Sequence, residues 1–288
     1  MILTGATRIY VAGAAGMLGE AVYRHFAAKY RVRATDINAR CEWLSVVDVA
    51  NYADLYEDVS NFHADVIINL AAQTDLEYCE TNPDQAWRDN ALGAENAALI
   101  AEKLSIPIVY VSTAGIFDGS KLEYNDYDEP NPLTVYARSK LHGERFTERT
   151  ASRYFVLRAG WMMGGGPDLD KKFVNKLYKQ ILSGNTLLHA VTDKLGTPTY
   201  THNFAQGMER VLMTDYYGVY NQVCEGRASR FEVAEYFVAC LGLTDRIRVE
   251  PVTSDYFASE YFAARPASEQ LTNFKLKQRG LSVMRHWK

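Results

Sequence analysis

The chain reads as an α/β protein: a doubly wound parallel sheet followed by a smaller C-terminal lobe. Three observations predict it. Short apolar runs alternate with longer amphipathic ones through the first half, glycines 13, 16 and 19 stand where the first run gives way to a helix, and Asp65–Leu70 (DVIINL) is almost continuously apolar. A strand that apolar is covered on both faces, as in parallel sheets flanked by helices. The alternation itself implies right-handed crossovers between parallel neighbours.

In chain order, Arg8–Ala12 (RIYVA) is the first predicted strand, and the glycines open a helix that runs to about Tyr30. Arg31–Thr35 follows as a strand ending at Asp36, and Asp65–Leu70 comes next. Asn82-Pro83 reads as an N-cap with proline at the first helical position, opening one helix to about Leu104. Ile106–Val111 is then a strand, with Pro107 near its start, where a missing N–H is tolerated. Past Arg158 the pattern loosens into a helix-like Lys171–Leu182, a long irregular stretch to His202, an amphipathic Asn203–Met213, a strand-like Val219–Val223 and a helix-like Phe231–Leu241.

Composition narrows the function. The chain has 288 residues, 48% of them hydrophobic and 23% charged, enough apolar material for a packed core. A formal net charge of −4, with no basic run longer than Lys171–Lys172, gives nucleic acid nothing to bind. No stretch of ~18 apolar residues exists to span a bilayer, and MILTGATRIYVAG lacks the marks of a secretory signal, so a soluble cytoplasmic protein is expected. Cys41, Cys79, Cys224 and Cys240 lie far apart with no C-x-x-C pair, which predicts reduced, mostly buried thiols. The six histidines show no ligand spacing, so no metal site is assigned; the acidic EYNDYDE stretch (Glu123, Asp126, Asp128, Glu129) reads as a solvated loop. The aromatic Tyr216-Tyr217 and Tyr256–Phe262 segments read as core or subunit contact.

Gly13-Ala14-Ala15-Gly16-Met17-Leu18-Gly19 has G-x-x-G-x-x-G spacing at a strand-to-helix junction. Glycines there let the backbone turn tightly and approach a pyrophosphate, which the helix N–H groups and dipole then face. Asp36 lies 23 positions beyond Gly13, at the end of the next strand. A carboxylate at that place accepts hydrogen bonds from the adenosine ribose hydroxyls and repels a 2′-phosphate, so NAD(H) is favoured. Arg33 and Arg40 are near enough in sequence to accommodate that phosphate, which keeps NADP(H) open. The organisation expected is therefore a dinucleotide-binding (Rossmann) domain over residues 1–160, with a return segment over 203–223, and a discontinuous substrate-binding lobe within 161–288.

In LTVYARSKLHGERF, Tyr136 and Lys140 are four residues apart, on one face of a helix. An ammonium near a phenol lowers the phenol's pKa, and such a tyrosine exchanges a proton with a carbonyl oxygen while hydride moves at carbon. Upstream, Ser112 and Thr113 end the strand IVYVS, at the sheet edge where ligands bind in such folds.

With GAAGMLG, VIINLAA, VSTAGIF and YARSK, the chain resembles the extended short-chain dehydrogenase/reductase superfamily, and within it the dTDP-4-dehydrorhamnose reductase group. AAQTDLEYCETNP, VLRAGWMMG, TPTYTHNFAQGM, GVYN and RPASEQLTNFKLKQRGL carry the likeness through the rest of the chain. The resemblance implies that Gly13, Gly16 and Gly19 form the pyrophosphate turn, with Met17 and Leu18 packing beside it. It likewise implies that Asp36 meets the ribose, Asp48 and Val49 the adenine, and Leu70, Ala71 and Ala72 the cofactor through their backbone. Thr113 takes the place of the catalytic hydroxyl, Tyr136 of the general acid, and Lys140 of the residue that tunes Tyr136 and holds the nicotinamide ribose. Arg158 and Trp161 fall near the segment that reaches the sugar, where Trp161 either stacks on a sugar face or fills core. Arg265 resembles a position near the nucleotide-sugar phosphates or is a plain surface arginine. A homodimer is also compatible with the resemblance.

One departure stands out. Where the rhamnose-pathway reductases follow the strand-end threonine with aspartate and tyrosine, this chain has Ala114 and Gly115, leaving more room beside the reacting sugar. The same pair excludes the acid–base couple that a 4,6-dehydratase needs. The expectation is an NAD(P)H-dependent reductase of a nucleotide-linked 4-keto-6-deoxy sugar. An NDP-sugar epimerase on the same fold and a non-catalytic NAD(P)-binding regulatory subunit are its rivals.

Overall fold

β-Branched and aromatic residues without proline make Arg8–Ala12 strand β1, and the computed structural model, which describes residues 3–288, builds a seven-stranded sheet round it. The chain continues through α1 (Met17–Ala27), β2 (Arg31–Asp36), β3 (Leu44–Val46), α2 (Tyr52–Phe62), β4 (Val66–Asn69), α3 (Leu76–Thr81) and α4 (Pro83–Trp87). A π turn (Arg88–Leu92) leads into α5 (Gly93–Lys103), β5 (Ile108–Thr113), α6 (Val135–Thr150) and β6 (Tyr154–Ala159). Then come β7 (Trp161–Met163), α7 (Gly166–Leu169), α8 (Phe173–Leu182), β8 (Leu187–Val191), β9 (Leu195–Gly196), β10 (Pro198–Tyr200) and α9 (Thr201–Leu212). The last elements are β11 (Gly218–Asn221), β12 (Ala228–Ser229), α10 (Arg230–Cys240), β13 (Arg248–Val252) and α11 (Phe274–Gln278).

The large sheet runs β11-β6-β5-β4-β1-β2-β3 with every neighbouring pair parallel, the doubly wound α/β arrangement expected. Alternation along the strands divides its core between two faces. Ile9, Val11, Ile68, Val109 and Leu157 pack with Val22 and Phe26 of α1 and Phe204 and Met208 of α9. Tyr10, Ala12, Ile67 and Ile108 pack with Leu55 and Val59 of α2 and with Ala97, Ile100 and Ala101 of α5. A separate apolar cluster joins Leu177, Leu188, Ala190, Ala234, Val238 and Ile247.

Several local expectations are corrected. The helix over 82–104 is interrupted by the π turn, and Asn82, though it stands at the N-cap position, makes no side-chain cap. Its side-chain amide donates instead to the Tyr78 carbonyl and the Thr81 hydroxyl, while Pro83 does occupy the first turn. The stretch to His202 is not irregular: β8 pairs with β13 and β10 with β7, both parallel. All four thiols are free, but only Cys79 and Cys224 are buried, since Cys41 lies in the loop after β2 and Cys240 on the outer end of α10. Asp126 is buried rather than solvated, because its carboxylate accepts from the backbone N–H groups of Asn221 and Lys275. Of the aromatic segments read as core or subunit contact, Tyr217 packs against the sheet core, while Tyr216, Tyr256 and Phe262 are exposed.

No helix among the described residues is long and apolar enough to cross a membrane. Met1 and Ile2, part of the N-terminal segment read for export signals, lie outside the described residues.

Candidate functional site

The three glycines of the first turn do different work. Gly13 has φ 77°, and a Cβ there would lie 2.3 Å from the Ala71 amide nitrogen. A Cβ on Gly19 would lie 2.4 Å from the Ala14 carbonyl oxygen, so both positions are closed by the protein's own backbone. Around Gly16, by contrast, nothing lies within 4 Å of a would-be Cβ, and this residue precedes α1 with no side chain capping the helix. Open ground at a helix N-terminus with no side-chain cap fits a pyrophosphate.

Asp36, at the carboxyl end of β2, is fixed beside this turn: Oδ2 accepts from Ala15 N at 3.0 Å and Oδ1 from Asn38 N at 3.1 Å. Arg33 is turned away, bound to Asp58 at 2.6 Å, and so is not placed to receive a phosphate there. Asp48 accepts from Ala50 N at 2.9 Å and pairs with Arg88, while the Val49 side chain is buried against Gly93. Leu70 N donates to Ala12 O at 2.9 Å, and Ala71 N donates to the Asn69 side chain at 3.1 Å, which sets the 70–72 segment against the turn. Leu18 is half-buried against the sheet core, and Met17 lies beside Gly165 of the loop before α7.

Thr113 ends β5 and Tyr136 lies in the first turn of α6, a helix capped by the Thr134 hydroxyl, which accepts from Ala137 N at 3.1 Å. The fold brings the two together: the Thr113 hydroxyl and the Tyr136 ring flank the same point beside Gly115, and the hydroxyl accepts from Gly115 N at 3.1 Å. Ser112 points to the opposite face of the strand and is buried. Lys140 lies one turn beyond Tyr136, with its Nζ 4.2 Å from the centre of the Tyr110 ring. Burial draws the Lys140 ammonium down to about 7 against the opposing charge of Glu144. Burial likewise pushes the Tyr136 phenol up to about 12; the nearby Thr113 hydroxyl opposes this and the Glu269 charge adds to it. The lowering of the phenol by Lys140 expected from the sequence is therefore corrected. Desolvation of both groups outweighs their proximity, and Tyr136 is held in the protonated form that a proton donor requires.

The opposite wall holds Trp161, Glu269, Arg230 and Arg265. The Trp161 indole N–H donates to Glu269 Oε2 at 2.6 Å, and the Arg230 guanidinium lies 3.6 Å over the indole ring. The ring face under Arg230 is thus closed to a sugar. Arg265 forms a two-point pair with Glu77 (2.7 and 3.0 Å), which ties its loop to α3. Arg158, expected near the sugar, is instead 5% exposed and bound to Glu144 at 2.6 Å; the correction follows from its place on β6 beneath α6, where only an ion pair makes its charge tolerable. Ala114 is buried at the end of β5, and the extra room expected at Gly115 is corrected: Glu269 reaches in, its Oε1 3.3 Å from where a Cβ of residue 115 would stand.

Two residues went unread in the sequence. Asn90, in the π turn, accepts from Gln73 N at 2.7 Å and donates to the Gln73 carbonyl and the Ser139 hydroxyl, joining the loop after β4 to the helix of Tyr136 and Lys140. A π turn inside a long helix has no compositional mark. Glu269 reaches the site from near the C-terminus, and only its place in the RPASEQL segment hinted at it.

The chain matches the family model described as "RmlD substrate binding domain" over residues 7–288. It is 30% identical over 289 residues to a dTDP-4-dehydrorhamnose reductase of Mycobacterium tuberculosis (98% of this chain, 90% of the relative). It is 27% identical over 283 residues to methionine adenosyltransferase 2 subunit beta of Xenopus laevis (95% and 83%). Among solved structures, a dTDP-4-dehydrorhamnose reductase of Clostridium acetobutylicum superposes with a TM-score of 0.89 at 29% identity, covering 98% of this chain and 95% of that one. The Bacillus anthracis reductase in complex with NADP gives 0.88 at 25% identity, covering 98% and 96%.

Proposed function

We propose, on the premise that this chain belongs to the RmlD substrate binding domain family, that it reduces the keto group of a nucleotide-linked 4-keto-6-deoxy sugar, with dTDP as the nucleotide. The observation that carries this reading is the convergence of the Tyr136 phenol and the Thr113 hydroxyl at the carboxyl end of β5, with Lys140 one helical turn beyond Tyr136. When bound, a nicotinamide dinucleotide supplies the hydride. The turn around Gly16 would hold its pyrophosphate, Asp36 its adenosine ribose, and Lys140 with the 70–72 segment its nicotinamide half.

The residues of the chain then handle the proton and the geometry. Thr113 and Tyr136 both hydrogen-bond the carbonyl oxygen, so charge that gathers there meets fixed donors. Tyr136 gives up its proton to that oxygen, and the Lys140 ammonium eases the phenolate that remains. NADH is favoured because the Asp36 carboxylate, fixed at the end of β2, would repel a 2′-phosphate, and Arg33 is committed to Asp58.

The test is consumption of NADH or NADPH with a dTDP-4-keto-6-deoxyhexose by the intact protein and by Tyr136→Phe. The variant is expected to lose ~10³-fold or more in kcat while binding dinucleotide normally. Equal rates from the two proteins would remove the reading. A non-catalytic subunit, the role that the name of the Xenopus relative raises, would bind dinucleotide and consume none. An epimerase would instead carry tightly held dinucleotide and return isomerised sugar with no net consumption.

A further inference from the structure

Gly115 and Glu269 come from opposite ends of the chain and meet beside Tyr136. A Cβ built on Gly115 would lie 3.3 Å from Glu269 Oε1, 3.5 Å from Thr113 Oγ1 and 3.8 Å from Tyr136 Cε1. The carboxylate therefore occupies the space that a side chain at position 115 would take, within one small group's width of the two residues that hold the reacting oxygen. Its other oxygen, Oε2, is anchored by the Trp161 indole, and the backbone N–H of Glu269 donates to Leu195 O at 2.8 Å, so the group is fixed in direction. The Arg230 guanidinium over Trp161 braces the same wall.

Building on the reductase reading, we infer that Glu269 is a specificity-determining residue, whose Oε1 accepts a hydrogen bond from a hydroxyl on the sugar carbon next to the carbonyl. The argument is one of chemistry and place. An ionised carboxylate oxygen only accepts, so it selects a donor. Once the carbonyl oxygen lies between Thr113 and Tyr136, the substituent on the adjacent carbon is the group that reaches Oε1. The strand end offers no carboxylate at Ala114 or Gly115, and Glu269 brings one in from another segment. The substrate class is thereby narrowed to keto sugars that keep a hydroxyl at C3; a 3-deoxy sugar would leave the carboxylate facing hydrocarbon.

The experiment is calorimetric titration of the protein loaded with oxidised dinucleotide, using the dTDP-6-deoxyhexose bearing a C3 hydroxyl, its 3-deoxy counterpart and dTDP alone. The wild-type protein is expected to bind the hydroxylated sugar ~10-fold or more tighter than the 3-deoxy one, the effect of one hydrogen bond to a charged group. Glu269→Gln should shrink that ratio toward unity. Gly115→Ala, whose methyl pushes Oε1 aside, should do the same with the carboxylate still present. dTDP alone should bind all three proteins alike. The inference is overturned if the wild-type protein shows no preference, or if both variants keep it. A wild-type protein that shows the preference yet consumes no NAD(P)H with any keto sugar would refute the reductase reading and leave the role of Glu269 standing.

Discussion

Lys140 and Tyr110 hold each other from two sides: the ammonium lies 4.2 Å over the ring centre, while the ring's hydroxyl donates to the Lys140 carbonyl at 3.0 Å. Gly143 makes this possible, since a Cβ there would lie 2.6 Å from that hydroxyl. The lysine is thus held in place by packing, and its charge is compensated mainly by a π face and the nearby Glu144.

The buried ammonium should couple cofactor binding to pH. With Lys140 drawn down to about 7, it is charged below that pH and ready to hold a ribose; above it, binding must take up a proton. NAD(P)H affinity, followed by fluorescence titration, is expected to be constant below pH 7 and to weaken by up to ~10-fold per unit above it. Lys140→Met should bind weakly at every pH. A flat wild-type profile would separate the lysine from the dinucleotide.

The same group should cost stability. Its folded pKa lies below the unfolded 10.5, so the folded state pays the full desolvation penalty below about pH 7, and stability rises as pH climbs from about 7 to 10.5. Lys140→Met should therefore melt a few degrees higher than wild type at pH 6.5, with the difference shrinking toward pH 10. A lower melting temperature in the variant would contradict this.

Arg158 and Glu144 should behave as a unit. Both are buried (side chains 6% and 1% exposed) and are joined at 2.6 Å, so Arg158→Met strands a carboxylate and should cost about 3–5 kcal/mol, read as a lower denaturation midpoint in urea. Glu144→Gln also removes the charge that supports Lys140, and the midpoint of the cofactor pH profile should move below 7.

Gly13→Ala and Gly16→Ala should separate folding from binding. At Gly13 the left-handed backbone and the Ala71 amide leave no room for a methyl, and a loss of about 2 kcal/mol or more is expected in thermal melts. At Gly16 the methyl meets no protein atom, so the fold should survive while dinucleotide affinity drops ~10-fold or more. Normal affinity in Gly16→Ala would show that the ground above the turn is not the ligand's.

Charge at Asp36 should set the choice of dinucleotide. Asp36→Asn keeps an acceptor for the Ala15 amide and removes the charge, so kcat/KM should shift toward NADPH over NADH by ~10-fold. An unchanged ratio would mean that another group makes the choice.

What the sequence disclosed follows from how local each signal is. The glycine turn, the strand DVIINL and the Tyr136–Lys140 spacing each lie within a few residues, and the parallel, doubly wound arrangement followed from the alternation of strands and helices. Features built from distant segments stayed hidden. Glu269 beside Gly115, Arg230 over Trp161 and Asp126 under α11 depend on the lobe's path, which periodicity does not record. The state of Tyr136 was misjudged for a related reason: spacing reveals that a lysine is near, but the water removed from both groups appears only after folding.

Strand β11 has a practical consequence. It completes the edge of the large sheet beside β6, yet the chain reaches it only after passing through β7–β10 and α9, and Asp126 clasps the backbones of both Asn221 and Lys275. The molecule is stitched rather than stacked. A fragment ending near residue 160 would expose β6 as a raw edge, invite self-association and lose the stitches at Asp126, so neither half is a portable module.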